Sequence, residues 1–264
     1  MNPFTMRSRL NLITPVLACF IFFACNKKTE QLTSKPLSDY LPLQVGKYIT
    51  YRLDSTVFTN FGTTTEIHSY QEKQIVDANI TDALGRDSYR ILRFIRDTAG
   101  TKPWAPAGSY FITPTDKTIE VIENNLRFLK LITPITQDNS WKGNRYLPDD
   151  PFSSTYSFNN DQGMDDWDYF YSSVDGSLAV NGKTYTDVLT VDVDIVYGIG
   201  NANKNTATVI DSSAYASVSY MQDNYAKGIG LIAEEFIMWD YQPPNVSNPG
   251  KRGFGIKRSI IDHN

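Results

Sequence analysis

Residues 49–57, ITYRLDSTV, decide the fold class because apolar and polar side chains alternate along them. In an extended chain successive side chains point to opposite faces, so Ile49, Tyr51, Leu53 and Val57 share one face, and the other face carries Thr50, Arg52, Asp54 and Thr56. Residues 189–195, LTVDVDI, repeat this pattern much later in the chain. Each stretch predicts a β-strand with one buried face.

Similar short segments fill most of the chain. Further strands are predicted at 66–78, 86–96, 108–113, 117–123, 126–132, 167–174, 228–239 and 253–261. The dipeptides Asn181-Gly182 and Asn124-Asn125 fall between apolar runs and suit tight hairpin turns, which need positive φ angles. Residues 66–84 also have helical propensity, but strand is favoured because β-rich neighbours need partners, and 206–223 is ambiguous. The predicted fold is all-β, an antiparallel, strongly curved sheet or a partly open barrel or sandwich, with little helix.

The N-terminus carries an export signal. Arg7 and Arg9 precede an apolar run from Leu10 to Ala24, which Cys25 follows directly. A basic region, an apolar core and a small residue are typical of a secretory signal peptide. A cysteine after the small residue is typical of bacterial lipoproteins, in which it is acylated and becomes the new N-terminus. The apolar run is short for a spanning helix, which needs roughly 20 residues. An uncleaved anchor and cleavage at another site are the alternatives.

These features divide the chain into three segments. Residues 1–24 are predicted to be the lipoprotein signal peptide, 25–38 a lipidated tether, and 39–264 a single β-rich domain. Because Cys19 lies in the signal, Cys25 is the one cysteine kept in the mature chain, and no disulfide within it is expected. Fatty acyl groups such as palmitate on this cysteine are the attached groups expected, with no other cofactor.

The net charge and composition of the chain indicate which classes of partner to expect. Without the two signal-peptide arginines the chain has 23 basic and 29 acidic residues, so its net charge is −6. A mildly acidic protein is a poor candidate for binding nucleic acid. The aromatic content of 13% favours half-buried β surfaces. The expected partners are a membrane, reached through the lipid anchor, and an envelope protein or a glycan ligand.

Three sequence motifs resemble those of a known group of proteins. They are YLPLQVGKY at 40–48, LITPI at 131–135 followed by SWKGN at 140–144, and YAKGIGLI at 225–232. In their spacing the mature domain resembles uncharacterised envelope lipoproteins of Bacteroidota-type bacteria. The resemblance implies an envelope lipoprotein with a β-rich fold, and it implies no reaction.

An aromatic cluster supplies the candidate ligand-binding residues. In a strand, Trp167, Tyr169 and Tyr171 share one face, which could stack on sugar rings if it were exposed. Trp141 is a fourth candidate. The competing interpretation is a row of aromatic side chains that face the core of an aromatic-rich sheet, and it is favoured.

Carboxylates supply the weaker candidates. Asp161 and Asp165 lie in an oxygen-rich segment and are a weak calcium prediction, since calcium takes oxygen ligands. Asp165, Asp166 and Asp168 could include a facing pair of the kind that cleaves glycosidic bonds. Solvated loop charges are the favoured interpretation. With two histidines in the chain, neither a zinc site nor a Ser-His-Asp triad is supported. No catalytic residue is therefore assigned.

The sequence thus favours a non-catalytic envelope lipoprotein that binds an unidentified ligand or protein partner. A carboxylate-dependent glycan hydrolase is one alternative, and a lipid or lipoprotein carrier with a hollow half-barrel is another. The basic start Asn26-Lys27-Lys28 favours an outer-membrane protein that faces the periplasm, with the cell surface as the alternative.

The lipid anchor gives the first testable prediction. Mass spectrometry of the mature protein should find an N-terminus at Cys25 that carries acyl chains. Cys25→Ser should abolish acylation and leave the signal attached, because its hydroxyl cannot form the thioether. Cys19→Ser, within the discarded signal, is the matched control and should be processed normally. An unmodified Cys25 in the mature protein would contradict the prediction.

Overall fold

A computed structural model describes residues 35–157, 160–193, 202–203, 208–209, 212–244, 246 and 249–264. In these residues the chain forms 14 strands and two 3-10 helices of three residues, Leu37–Asp39 and Met164–Asp166. The strands are β1 Tyr48–Thr59, β2 Thr64–Thr81, β3 Asp87–Asp97, β4 Ala105–Pro114, β5 Thr118–Glu123, β6 Leu126–Ile132, β7 Ser140–Lys142, β8 Asp168–Val180, β9 Lys183–Val193, β10 Ala202–Asn203, β11 Thr208–Val209, β12 Ala216–Ala226, β13 Gly230–Gln242 and β14 Gly250–His263. Among the described residues, no helix is long and apolar enough to cross a membrane.

Twelve of these strands form one antiparallel sheet. Their order is β6-β5-β4-β3-β2-β1-β14-β13-β12-β9-β8-β7, and β10 and β11 pair separately. Because the last long strand, β14, pairs with the first, β1, the two ends of the domain meet in the middle of the sheet. The sheet curls until its edge strands approach each other, giving a nearly closed barrel with one seam. The predicted all-β, strongly curved antiparallel fold is confirmed.

The predicted hairpin turns lie where the sequence put them. Asn181 and Gly182 have φ angles of 49° and 80° and connect β8 to β9. Asn124 and Asn125, at 51° and 63°, connect β5 to β6 in the same way. Both turns place the chain in the left-handed region that Gly and Asn tolerate best, so the turn chemistry fixes the register of each hairpin.

Two segments of uncertain assignment are settled by pairing. The segment 66–84 is strand β2 as far as Thr81, because β1 and β3 pair with it along most of its length. In 206–223, residues from Ala216 onward belong to β12. Residues 204–207 and 210–211 lie outside the described part, as do 194–195 at the end of a predicted strand. Tertiary pairing, which local propensity does not contain, decides both cases.

The main core lies inside the barrel and is rich in aromatic side chains. The Trp141 ring packs against those of Tyr169 and Tyr171, with centroid separations of 5.9 and 4.8 Å. A Cβ atom at Gly143 would overlap the ring of Tyr169, so only glycine allows this close approach. Leu37, within the predicted tether, is also buried here. Residues 34–264 form one compact unit, which contains every described strand and core residue.

One backbone hydrogen bond and two aromatic side chains hold the seam between β6 and β7. The Leu129 N–H donates to the Gly143 carbonyl at 2.7 Å, and the indole N–H of Trp141 donates to the Leu129 carbonyl at 2.8 Å. Three residues further along β6, the Tyr171 hydroxyl accepts from the Ile132 N–H at 2.9 Å and donates to the Ile132 carbonyl. The hydroxyl therefore satisfies both backbone groups of an edge residue that has no strand partner on that side.

The seam gives the second prediction. Tyr171→Phe should lower the free energy of unfolding by about 1–3 kcal/mol, because it leaves both backbone groups of Ile132 without that partner. The measurement is urea unfolding. Tyr185→Phe is the matched control, since Tyr185 is also buried and its hydroxyl makes no hydrogen bond within the described residues. Equal losses in the two variants would show that Tyr171 stabilises the protein by packing alone.

Candidate ligand-binding cavity

The barrel is not filled. A cavity of about 540 Å³ lies inside it, between the two walls of the curled sheet. This volume falls within the roughly 300–1,000 Å³ range of small-molecule sites. Most of its lining is apolar and comes from many strands of the sheet: Val76 on β2, Ile91 on β3, Ile112 on β4, Val121 on β5, Phe128 on β6, Met221 on β12, Phe236 on β13 and Phe254 on β14. Inward-facing alternate positions of separate strands therefore build one continuous apolar wall.

Exposed residues from separate parts of the chain border the cavity. Its lining includes the exposed C-terminal residue Asn264, together with Leu41 and Leu43 from the segment before β1. It also includes the exposed residues Asn124 and Thr155. The segment that follows the predicted tether therefore contributes part of the wall.

Charged side chains interrupt the apolar wall. We call Glu72, Arg93, Glu123, Lys130, Asp223, Glu234 and Arg258 the inner charge cluster. All of them except Glu72 line the cavity, and Glu72 adjoins it through Arg258. Asp223, Glu234 and Arg258 lie directly opposite one another on β12, β13 and β14. Like charges directly opposite in a sheet are destabilising, so the Asp223–Glu234 pair needs cations nearby.

Three cations, Lys130, Arg258 and Arg93, pair with the carboxylates of the cluster. The Lys130 ammonium lies 2.9 Å from Asp223 Oδ2, and the Arg258 Nε lies 2.6 Å from Glu72 Oε2. Arg258 also pairs with Glu234, and Arg93 pairs with Glu123. A buried carboxylate is tolerated when a cation and hydrogen bonds compensate its lost hydration. The cluster is therefore held by mutual pairing rather than by solvent.

The pKa values of Asp223 and Glu234 reflect the balance between burial and the nearby cations. Burial raises the pKa of Asp223, and the attraction of Lys130 offsets only part of the increase. Burial also acts to raise the pKa of Glu234, but Arg258 and Lys130 outweigh it and leave that pKa below its ordinary value. Two acids at directly opposed positions thus have pKa values displaced in opposite directions by their neighbours.

Hydroxyl and amide groups connect the cluster to the wall. Tyr110 donates to Gln74 Oε1 at 2.8 Å, and the Gln74 amide donates to Glu72 Oε2 at 3.0 Å. Tyr225 donates to Asp223 Oδ2 at 3.1 Å. Burial raises the pKa values of both tyrosines, so their hydroxyls remain protonated donors. These bonds fix the positions of the charged groups along the cavity.

The predicted aromatic cluster lies elsewhere. Trp141, Trp167, Tyr169 and Tyr171 are all buried, with exposed fractions of 8% or less, and none lines the cavity. Tyr169 donates to Asn144 Oδ1 at 2.8 Å, so its polar end is satisfied inside the protein. The core-facing interpretation is the one that this packing supports, and the four residues form no exposed surface for stacking sugar rings.

The predicted carboxylates Asp161, Asp165, Asp166 and Asp168 do not form one site. Asp161 is buried and accepts from the Phe152 N–H at 3.1 Å, whereas Asp165 is partly exposed. No group of three or more His, Cys, Asp or Glu side chains suited to a metal ion occurs in the described residues. Asp166 is 87% exposed, and Asp168 pairs with Lys142 at 3.0 Å. They do not form the buried, facing pair that the hydrolase alternative needs.

The inner charge cluster was missed by sequence reasoning, although a signal existed. Arg258 occupies the same alternating row as Phe254 and Ile256 on β14, and Asp223 lies in the row of Met221 on β12. A charged residue at an inward-facing position in an apolar row is a candidate functional residue. Several such rows in one chain indicate a polar patch inside a barrel, provided that the strands are known to curl.

Comparison with known proteins does not identify a family for this chain. The chain matches no protein-family model, no curated protein and no solved structure.

Asp161 gives a prediction of pH dependence. Burial and a hydrogen bond shared with Asp150 raise the pKa of Asp161 to about 6. The folded protein therefore keeps a proton that the unfolded chain releases, and stability falls as pH rises from about 4 through 6. Asp161→Asn removes this penalty, so its stability relative to wild type should improve by roughly 2 kcal/mol between pH 4 and pH 7.

Urea unfolding across this pH range is the measurement. Asp166→Asn is the control, because it makes the same charge change at an exposed position of the same loop. It should follow the wild-type pH profile. A pH-independent difference between Asp161→Asn and wild type would contradict a raised pKa at Asp161.

Proposed function

We propose that this protein is a non-catalytic lipoprotein of the cell envelope that holds a small, largely apolar ligand inside its barrel. One observation carries the proposal: a cavity of about 540 Å³ with a mainly apolar lining. Protein interiors are normally close-packed, with few voids larger than a water molecule. A cavity this large, lined by side chains from many strands, is favourable for a ligand that replaces the missing packing contacts.

The proposal takes its location from the N-terminus. An acylated Cys25, followed by a short tether, would hold the barrel at a membrane surface, and two or more acyl chains anchor a protein stably. We place the protein at the outer membrane and facing the periplasm, since Asn26-Lys27-Lys28 is basic where an acidic run would favour export to the surface.

Carriage of a lipid is the form of this function that the cavity favours. Several residues of its lining are exposed, so the cavity is not sealed from solvent and an apolar molecule could enter it. A hollow interior is also what the carrier alternative required. A glycan hydrolase has less support, because Asp166 is exposed and Asp168 pairs with Lys142.

Binding of Nile red, an uncharged apolar fluorophore, tests the proposal. The chain from Asn26 onward is suitable, since residues 34–264 form one compact unit. Wild-type protein should bind Nile red with a blue shift and increased emission. Val121→Trp, which adds a large side chain to the cavity wall, should weaken binding about tenfold or more, a change of roughly 1.4 kcal/mol.

The control is Ile67→Trp. Ile67 is 58% exposed and does not line the cavity, so the variant adds the same indole to the outside. It should bind Nile red as wild type does. Absence of binding by the wild-type protein, or equal affinities in Val121→Trp and wild type, would refute a ligand-binding cavity.

A further inference from the structure

Two buried polar atoms of residues that line the cavity have no hydrogen-bond partner among the described residues. They are Oδ1 of Asp223 and Nε of Arg93. Asp223 is 1% exposed, and its other oxygen, Oδ2, accepts from Lys130 and Tyr225. Most buried polar side-chain atoms in native proteins are hydrogen-bonded, so each unsatisfied atom needs an explanation. Here both atoms belong to residues that line the same cavity.

The charge of the surrounding groups restricts what could partner them. The inner charge cluster has four carboxylates, at Glu72, Glu123, Asp223 and Glu234, and three cations. A ligand carboxylate would add a fifth negative charge in a region of low dielectric, where like charges repel strongly. It would also offer no proton to Asp223. An anionic lipid is therefore a poor fit to this cavity.

The hydrogen-bonding character of the two atoms restricts the ligand further. An ionised Asp223 Oδ1 accepts, so it needs a donor, whereas the Arg93 Nε–H donates and needs an acceptor. A hydroxyl group both donates and accepts, and it carries no charge. An ammonium group could donate to Asp223 but has no lone pair for Arg93. The hydroxyl is the small group that suits both atoms.

We propose that the ligand is an uncharged lipid alcohol, an apolar molecule whose hydroxyl lies at the inner charge cluster and donates to Asp223 Oδ1 once a small shift of the surrounding side chains uncovers that atom. Its apolar part fills the space between Val76, Ile91, Ile112 and Phe128. The Arg93 Nε–H supplies a donor to the hydroxyl oxygen or to a second one. The inference rests on the proposed function and names the chemical class of the ligand.

Three probes with equal chain length test it: decanol, decanoate and decylamine. Each is titrated at about pH 7 against the wild-type chain from Asn26 onward, with displacement of Nile red as the measurement. Decanol should bind at least tenfold more tightly than decanoate. Decanoate or decylamine binding as tightly as decanol, or more tightly, would overturn the assignment. This ranking needs no variant, so it does not depend on whether a mutated cluster folds.

Asp223→Asn identifies the residue responsible. Removing this charge weakens the acceptor for the alcohol and reduces repulsion of the carboxylate, so the preference for decanol over decanoate should fall about tenfold. Asp192→Asn is the matched control. It makes the same charge change on β9, where Asp192 alternates with the core residues Val191 and Val193. An unchanged preference in Asp223→Asn, with Nile red binding retained, would show that Asp223 does not select the ligand.

If Asp223→Asn fails to fold, Arg93→Gln provides the second variant, because it removes the Nε–H. It should weaken decanol binding while retaining Nile red binding, and unchanged decanol binding would count against the role of Arg93. Failure of the two proposals is distinguishable. If wild-type protein binds neither Nile red nor any probe, the proposed function is wrong. If Nile red binds and decanoate ranks first, only the lipid-alcohol inference is wrong.

Discussion

The curling of one antiparallel sheet until β6 meets β7 is the constraint on which the rest of the structure depends. Closure turns one face of the sheet into an interior, and it replaces two exposed edges by a single seam. The seam has few backbone hydrogen bonds, and the side chains of Trp141 and Tyr171 supply the others. Aromatic residues that resemble a binding surface in the sequence thus serve to hold the barrel closed.

The interior combines two requirements that oppose each other. A compact barrel needs a packed apolar core, yet this one contains a cavity and seven charged groups beside it. Trp141, Tyr169 and Leu189 are buried away from the cavity, whereas Val76 and Ile91 belong to the same buried cluster and line it. Buried ion pairs add little net stability, because desolvation offsets most of their attraction. We infer that the cluster is kept for the ligand rather than for folding.

The chemistry of the cavity and the proposed anchor are consistent with one another. A lipid-anchored barrel lies where apolar molecules are found, and its N-terminal segment contributes Leu41 and Leu43 to the cavity wall. Polar groups at a few points of an apolar cavity set orientation and specificity, whereas the apolar wall supplies most of the affinity. The proposed ligand assigns this role to Asp223 and Arg93.

The amino-acid sequence by itself determined the all-β class, most strands and the Asn-Gly and Asn-Asn turns, because alternation and turn chemistry are local properties. It also led to the prediction that Cys25 is acylated and anchors the protein to a membrane. Only the tertiary structure decided which strands pair at a distance, that Tyr171 closes the seam, and that Lys130 meets Asp223 across the barrel. Alternation reveals that a residue faces inward but not which residue it faces, since that depends on curvature and strand order. The cavity arises from the same long-range geometry.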